Sequence, residues 1–210
     1  DYADGWPRIE DIVGEIRFEG PGMYITAERA RIFGAELVNV TAEVPDLDAT
    51  DAEVMLVRGE AVGPTAEFLR FVAESPVSRR IGGLSDSLRA EGDGKLALSM
   101  TMPLNHVEHT QLQGQFAFAD NRIVLLDGLP PLEAAGGTLN FSESALSIPR
   151  AAGRWLGEPF ALEAKTVRGQ GVHFKVDGGA RLATLQTLGL PLSGHLAGAV
   201  KWQAKLALND

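Results

Sequence analysis

The chain has 210 residues, of which 45% are hydrophobic and 22% charged, the range of an ordinary folded protein and enough for one large domain or two small ones. Its formal net charge of -9 and pI near 5.0 set nucleic acid and anionic bilayer surfaces aside as partners, because binding phosphate needs a basic face. Cysteine is absent, which excludes disulfides and thiolate metal sites and leaves the redox compartment open.

No run of about 18 apolar residues marks a membrane span, and no charged start followed by an apolar core marks a signal peptide. The sequence begins at Asp1 rather than Met and ends in strand-like residues at Leu206, Ala207 and Leu208. It is read as a segment of a longer protein whose targeting and membrane parts lie elsewhere.

Along the chain, apolar and polar residues alternate with period two, first at Val38, Val40, Ala42 and Val44. Between Thr65 and Ala73 the period changes. Phe68, Leu69, Phe71 and Val72 fall at helical spacing, with Pro64 placed to start a helix and Ser75-Pro76 to stop it. A second helical turn is expected over Val77 to Leu88. Alternation returns at Leu96, Leu98, Met100 and Met102, then at Leu112, Gly114, Phe116 and Phe118, at Val172, Phe174 and Val176, and at Val200, Trp202, Ala204, Leu206 and Leu208. Gly20-Pro21-Gly22, Asp93-Gly94, Asp120-Asn121 and Asp177-Gly178-Gly179 read as turns between strands. The expected fold is mainly β: a strongly curved antiparallel sheet of repeated hairpins, an open or taco-like groove, with one or two short helices near residues 65 to 88.

An internal repeat organises the sequence. Residues 6–18 align without gaps to residues 129–141, an offset of 123 from Trp6 to Leu129, with Pro7, Glu10, Gly14 and Phe18 meeting Pro130, Glu133, Gly137 and Phe141. Ile25 meets Ile148, Arg31 meets Arg154 and Gly34 meets Gly157. Two units are expected: residues 1–128, carrying the helical segment, and a truncated second unit, residues 129–210.

Three stretches carry a family likeness: residues 6–20 with 27–35, residues 63–77, and Phe118-Ala119-Asp120-Asn121-Arg122 leading into Leu129-Pro130. Together they resemble the middle of a YhdP-type protein of the AsmA-like superfamily. The resemblance implies a periplasmic β-structure in a large protein, anchored in the Gram-negative inner membrane by a helix outside this segment. It further implies a hydrophobic groove carrying phospholipids towards the outer membrane, with no catalytic residues and no cofactor. Candidate groove residues on the alternating apolar faces are Leu96, Leu98, Met100, Met102, Phe116, Phe118, Phe174 and Trp202. The partner is then the acyl chains of phospholipid.

Other residues suggest chemistry and are better explained by structure. His106 and His109 flank Glu108, but on a strand positions three apart point to opposite faces, so no metal site is expected there. His173 and His195 are isolated. Glu10, Asp11 and Glu15 form an acidic cluster of the kind glycoside hydrolysis uses, yet in the repeat only Glu10 recurs, as Glu133, while Ala134 and Thr138 replace the others. Ser85-Asp86-Ser87 lacks a nucleophile-elbow context, and the glycines form no phosphate cradle. No enzyme is expected. The alternative to a lipid groove is a structural or protein-binding β scaffold whose apolar face is closed into a core.

Overall fold

A computed structural model describes residues 6–49, 53–75, 88–125, 127–181 and 198–208. The protein is mainly β. Among the described residues there are twelve strands: β1 (Glu10–Glu19), β2 (Gly22–Ile32), β3 (Ala35–Val44), β4 (Val54–Pro64), β5 (Arg89–Glu91), β6 (Asp93–Pro103), β7 (Gln111–Val124), β8 (Leu132–Ser142), β9 (Leu146–Trp155), β10 (Glu158–Val167), β11 (Gly171–Arg181) and β12 (Ala199–Leu208). They form a single antiparallel sheet in which each strand pairs with the next, β6 following β4, and short β5 pairs with the end of β7. The ladder runs from β1 to β12 without closing on itself.

Directly paired residues in such a ladder point to the same side of the sheet. One row runs Ile16, Ile25, Ala42, Val57, Met100, Leu112 across β1 to β7. Another runs Phe118, Gly137, Ala151, Leu162, Val176, Ala204 across β7 to β12. On the opposite side a row runs Glu60, Ala97, Gln115, Asn140, Ser147, Lys165, His173. The sheet therefore has one apolar and one polar face along its whole width.

Bulges keep those faces in phase. One register shift falls in β9 between Ile148 and Ala151, and four others fall around Asp11 in β1, Asn39 in β3, Asp120 in β7 and Ala134 in β8, each a residue with positive φ. An extra residue there lets Leu37 and Val40 both pair with apolar-face positions, Leu37 with Ala61 and Val40 with Ala27, although they lie three apart. Asp11 and Ala134 are separated by the repeat offset of 123, as are the positive-φ residues Phe33 and Leu156 that turn β2 into β3 and β9 into β10. Glu10 pairs with Arg31 and Glu133 with Arg154, again at that offset.

Three expected turns are corrected. Asp93-Gly94 opens β6 and Asp177-Gly178-Gly179 lies inside β11, while Asp120-Asn121 is a bulge within β7. At Gly94 and Gly178 the glycine makes room for an aromatic ring on the neighbouring strand rather than for a reversal. A Cβ on Gly94 would clash with the Phe116 ring, and one on Gly178 would stand 2.5 Å from Trp202 Cζ2.

The helix α1 (Thr65–Ala73) follows Pro64 as expected, and the second helical turn expected over Val77 to Leu88 lies, apart from Leu88, outside the described residues. Phe68 of α1 packs on Phe116 at 5.0 Å between ring centroids, and Phe71 on Trp6 at 6.0 Å. Arg70 lies over the Phe33 ring at 3.9 Å and pairs with Glu74 at 2.8 Å. The helix thus covers only one end of the apolar face, where β4 ends and β6 begins. Its start is tied down by Asn121, which is fully buried. The Asn121 carboxamide oxygen accepts from the Thr65 hydroxyl at 2.5 Å, while its nitrogen donates to the carbonyls of Ala119 and Asp93 at 2.9 and 3.1 Å. Thr65 N–H donates to Gly92 O at 2.8 Å, so β4, α1, β6 and the β7 bulge meet at one point. A side chain at Gly92, whose φ is +105°, would strike the Asn121 amide.

Candidate functional site

The register brings all eight candidate groove residues to the apolar face. Leu96 pairs with Phe116, Gly94 with Phe118, and Met100 with Leu112, and Leu98 and Met102 share the parity of their strand. Phe174 and Trp202 join the same face through Val176 and Ala204. Each of the eight is half-buried. They fall into three groups: Leu96, Phe116 and Phe118 beside α1; Leu98, Met100 and Met102 running towards the other end of β6; Phe174 and Trp202 on β11 and β12.

The burial pattern is unlike that of a closed β core. Among the described residues the buried apolar side chains are alanines, together with Val44 and Phe160, while the large ones on the apolar face stay half-exposed. At the edges exposure is greater: Ile16 is 62% exposed, Phe18 67% and Leu206 61%. Two packed sheets would bury this face about 10 Å from a partner sheet. Here one sheet has no second layer among the described residues.

The face is curled where it is richest in tryptophan. Trp155 of β9 and Trp202 of β12 meet edge to face at 5.6 Å between centroids, although β10 and β11 lie between them. On a flat sheet those strands are about 14 Å apart. The two indoles lean over β10 and β11 on the apolar side, a contact that fits a sheet bent with that side inward. Each indole N–H donates to a backbone carbonyl, Trp155 to Pro130 O at 3.2 Å and Trp202 to Gly179 O at 3.1 Å, which satisfies the polar atom and leaves the rest of each ring apolar.

The polar face is knitted by cross-strand pairs: Gln115 to Asn140 at 3.0 Å, Gln203 to Asp177 at 2.6 Å and Lys95 to Glu60 at 2.9 Å. Hydrogen bonds from Gln203 and Lys175 hold the Asp177 carboxyl below its ordinary pKa. A broad depression of ≈ 890 Å³ is walled on this side by Arg58, Glu60, Ser99, Gln113, Gln115 and Asn140. A twisted sheet is saddle-shaped, so concavity on the polar side coexists with the curl of the apolar side. It is the polarity of the faces, not the size of a hollow, that decides which of them suits hydrocarbon.

The remaining sequence candidates resolve one by one. Asp11 and Arg31 form an ion pair beside the Glu10–Arg31 strand pairing, so two of the three acidic residues face an arginine across a hairpin. The guanidinium pKa of Arg31 is raised, chiefly by its hydrogen bond to Asp11. His173 is a polar-face residue opposite Lys165. His195 and Ser85-Asp86-Ser87 lie outside the described residues. The geometric ground for separating His106 from His109 is overturned: residues Val107–His109 form a 3-10 turn, not a strand. Three residues make one turn of that helix, so the two imidazoles fall on one side, 5.7 Å apart between centroids, with Glu108 at 3.3 Å from His106 Nδ1.

No described helix is long and apolar enough to cross a membrane. The family model for YhdP protein matches residues 1–210. Among curated proteins, the intermembrane phospholipid transporter YhdP of Escherichia coli (strain K12) is 22% identical over 211 residues, covering 99% of this chain and 16% of that protein. No solved structure matches the chain. The sequence match over every residue, together with the uninterrupted two-faced sheet, establishes that this chain belongs to the YhdP family.

Proposed function

We propose that this chain is a non-catalytic, periplasmic segment of a hydrophobic groove along which phospholipid acyl chains pass between the inner and outer membranes. The parent protein would be held in the inner membrane by a part outside this segment. The observation that carries the reading is the apolar face, continuous from Ile16 on β1 to Ala204 on β12, with large side chains half-exposed and α1 covering one end. Acyl chains suit such a face because each methylene removed from water is worth about 0.8 kcal/mol and asks for no polar partner. Leu96, Leu98, Met100, Met102, Phe116, Phe118, Phe174 and Trp202 are proposed to touch them. Residues 1–128 and 129–210 are proposed as successive units, the second truncated, supported by the shared positive-φ positions and strand pairings at the offset of 123.

The test is native mass spectrometry of the chain purified from a Gram-negative periplasm, with lipid extraction and chromatography. Bound phospholipid that detergent exchange removes without unfolding supports the groove. A lipid-free chain whose apolar face is protected from solvent labelling would favour the closed scaffold instead.

A further inference from the structure

We propose that the β6–β7 turn is a site for a divalent borderline transition metal, Zn2+ in particular, held by His106, Glu108 and His109. The ligand atoms of these three residues lie within 4.8 Å of one another. Two ligands on a tetrahedral zinc, each about 2.05 Å from the metal, stand about 3.3 Å apart. His106 Nδ1 and Glu108 Oε1 already have that spacing, at 3.3 Å. His109 completes a three-ligand face by side-chain rotation alone, since all three residues are exposed at the rim of the sheet.

The backbone beneath them is fixed. His106 N–H donates to Pro103 O at 3.2 Å, His109 N–H to His106 O at 2.9 Å, and the Thr110 hydroxyl to Val107 O at 2.6 Å. Leu104 N–H donates to Glu53 O at 2.9 Å, which anchors the entry to the turn to the start of β4. Such a turn presents its ligands without the ordering cost of a loose loop. Two imidazoles and one carboxylate select zinc-like ions over Mg2+ and Ca2+, which prefer all-oxygen shells. The fourth position remains open to water or an external ligand.

The test is titration of Zn2+ alone into the chelator-treated 210-residue chain by calorimetry, followed by imidazole NMR. One Zn2+ per chain is expected at neutral pH. The His106 and His109 resonances are expected to move and that of His173 to stay. His109→Gln should weaken binding at least about tenfold. The His106→Gln/His109→Gln double variant should abolish it, and His173→Gln should leave it unchanged. Because the turn is exposed, unchanged melting of the double variant provides the folding control. Absence of saturable Zn2+ uptake by the wild type, or equal uptake by the double variant, overturns the proposal.

Discussion

Replacing Asn121 by alanine tests how the helix is held against the sheet. The carboxamide is fully buried and makes three hydrogen bonds, one from the Thr65 hydroxyl and two to the carbonyls of Ala119 and Asp93. Alanine removes all three. The Thr65 hydroxyl can turn elsewhere, but the two carbonyls lose this donor in a place where each unmet group costs about 1–3 kcal/mol. The expected loss is therefore roughly 3–5 kcal/mol, a large share of the roughly 5–15 kcal/mol that stabilises a typical domain. Thr65→Val removes one hydroxyl and should cost about 1 kcal/mol. In urea unfolding followed by far-UV circular dichroism, Asn121→Ala should lower the midpoint with little change in slope. The double variant should cost less than the sum of the two, with a coupling of about 1 kcal/mol. A loss below about 1 kcal/mol for Asn121→Ala would show that this junction does not hold the helix end together.

Other perturbations separate the faces. Met100→Asp sits where no helix of the described residues covers the sheet, so lipid occupancy should fall with near-normal melting, read by native mass spectrometry and calorimetry. Phe116→Asp lies under Phe68 and should cost about 3 kcal/mol or more in unfolding as well. Gly178→Val would push the Trp202 ring off its neighbour and break its contact with Trp155, seen as a shift in tryptophan fluorescence and a loss of about 1–3 kcal/mol. The Glu143 carboxyl is held below its ordinary pKa, chiefly by the Leu112 N–H that donates to it at 3.1 Å. Its depressed folded-state pKa means that its stabilisation is present above the unfolded value and is lost as pH falls through the folded one. NMR titration should place its midpoint below the usual glutamate range, and Glu143→Gln should remove the acid-side part of the stability change.

The alternating strands made the apolar face legible, because period two assigns each side chain to a side once the strands are in register. Helix α1 was legible for a different reason: Pro64 and Ser75-Pro76 punctuate it at both ends. The turns were less so. Glycine serves both reversals and close approach of an aromatic ring, and nothing local to Gly94 or Gly178 distinguishes the second use, which depends on Phe116 and Trp202 across the ladder. The converse error hid Phe33 and Leu156, apolar residues that take positive φ at true reversals. Asn121 gave no signal, since a buried amide is defined by partners at Thr65 and Asp93 that are remote in sequence. The relative placement of His106 and His109 was misread because strand parity was applied to a 3-10 turn. For Gly94, Gly178 and Asn121 the tertiary setting decided what the local sequence meant.

The central claim is that one face of the sheet, and not the other, meets hydrocarbon. A photo-crosslinking side chain placed in turn at residues 96 to 102 of β6, in cells with labelled phospholipid, tests it most directly. The apolar-face positions Leu96, Leu98, Met100 and Met102 should crosslink to lipid, while Ala97, Ser99 and Thr101 should not, giving a signal with the period of the strand. Crosslinking that is uniform along β6, or that follows the polar positions, would contradict the account.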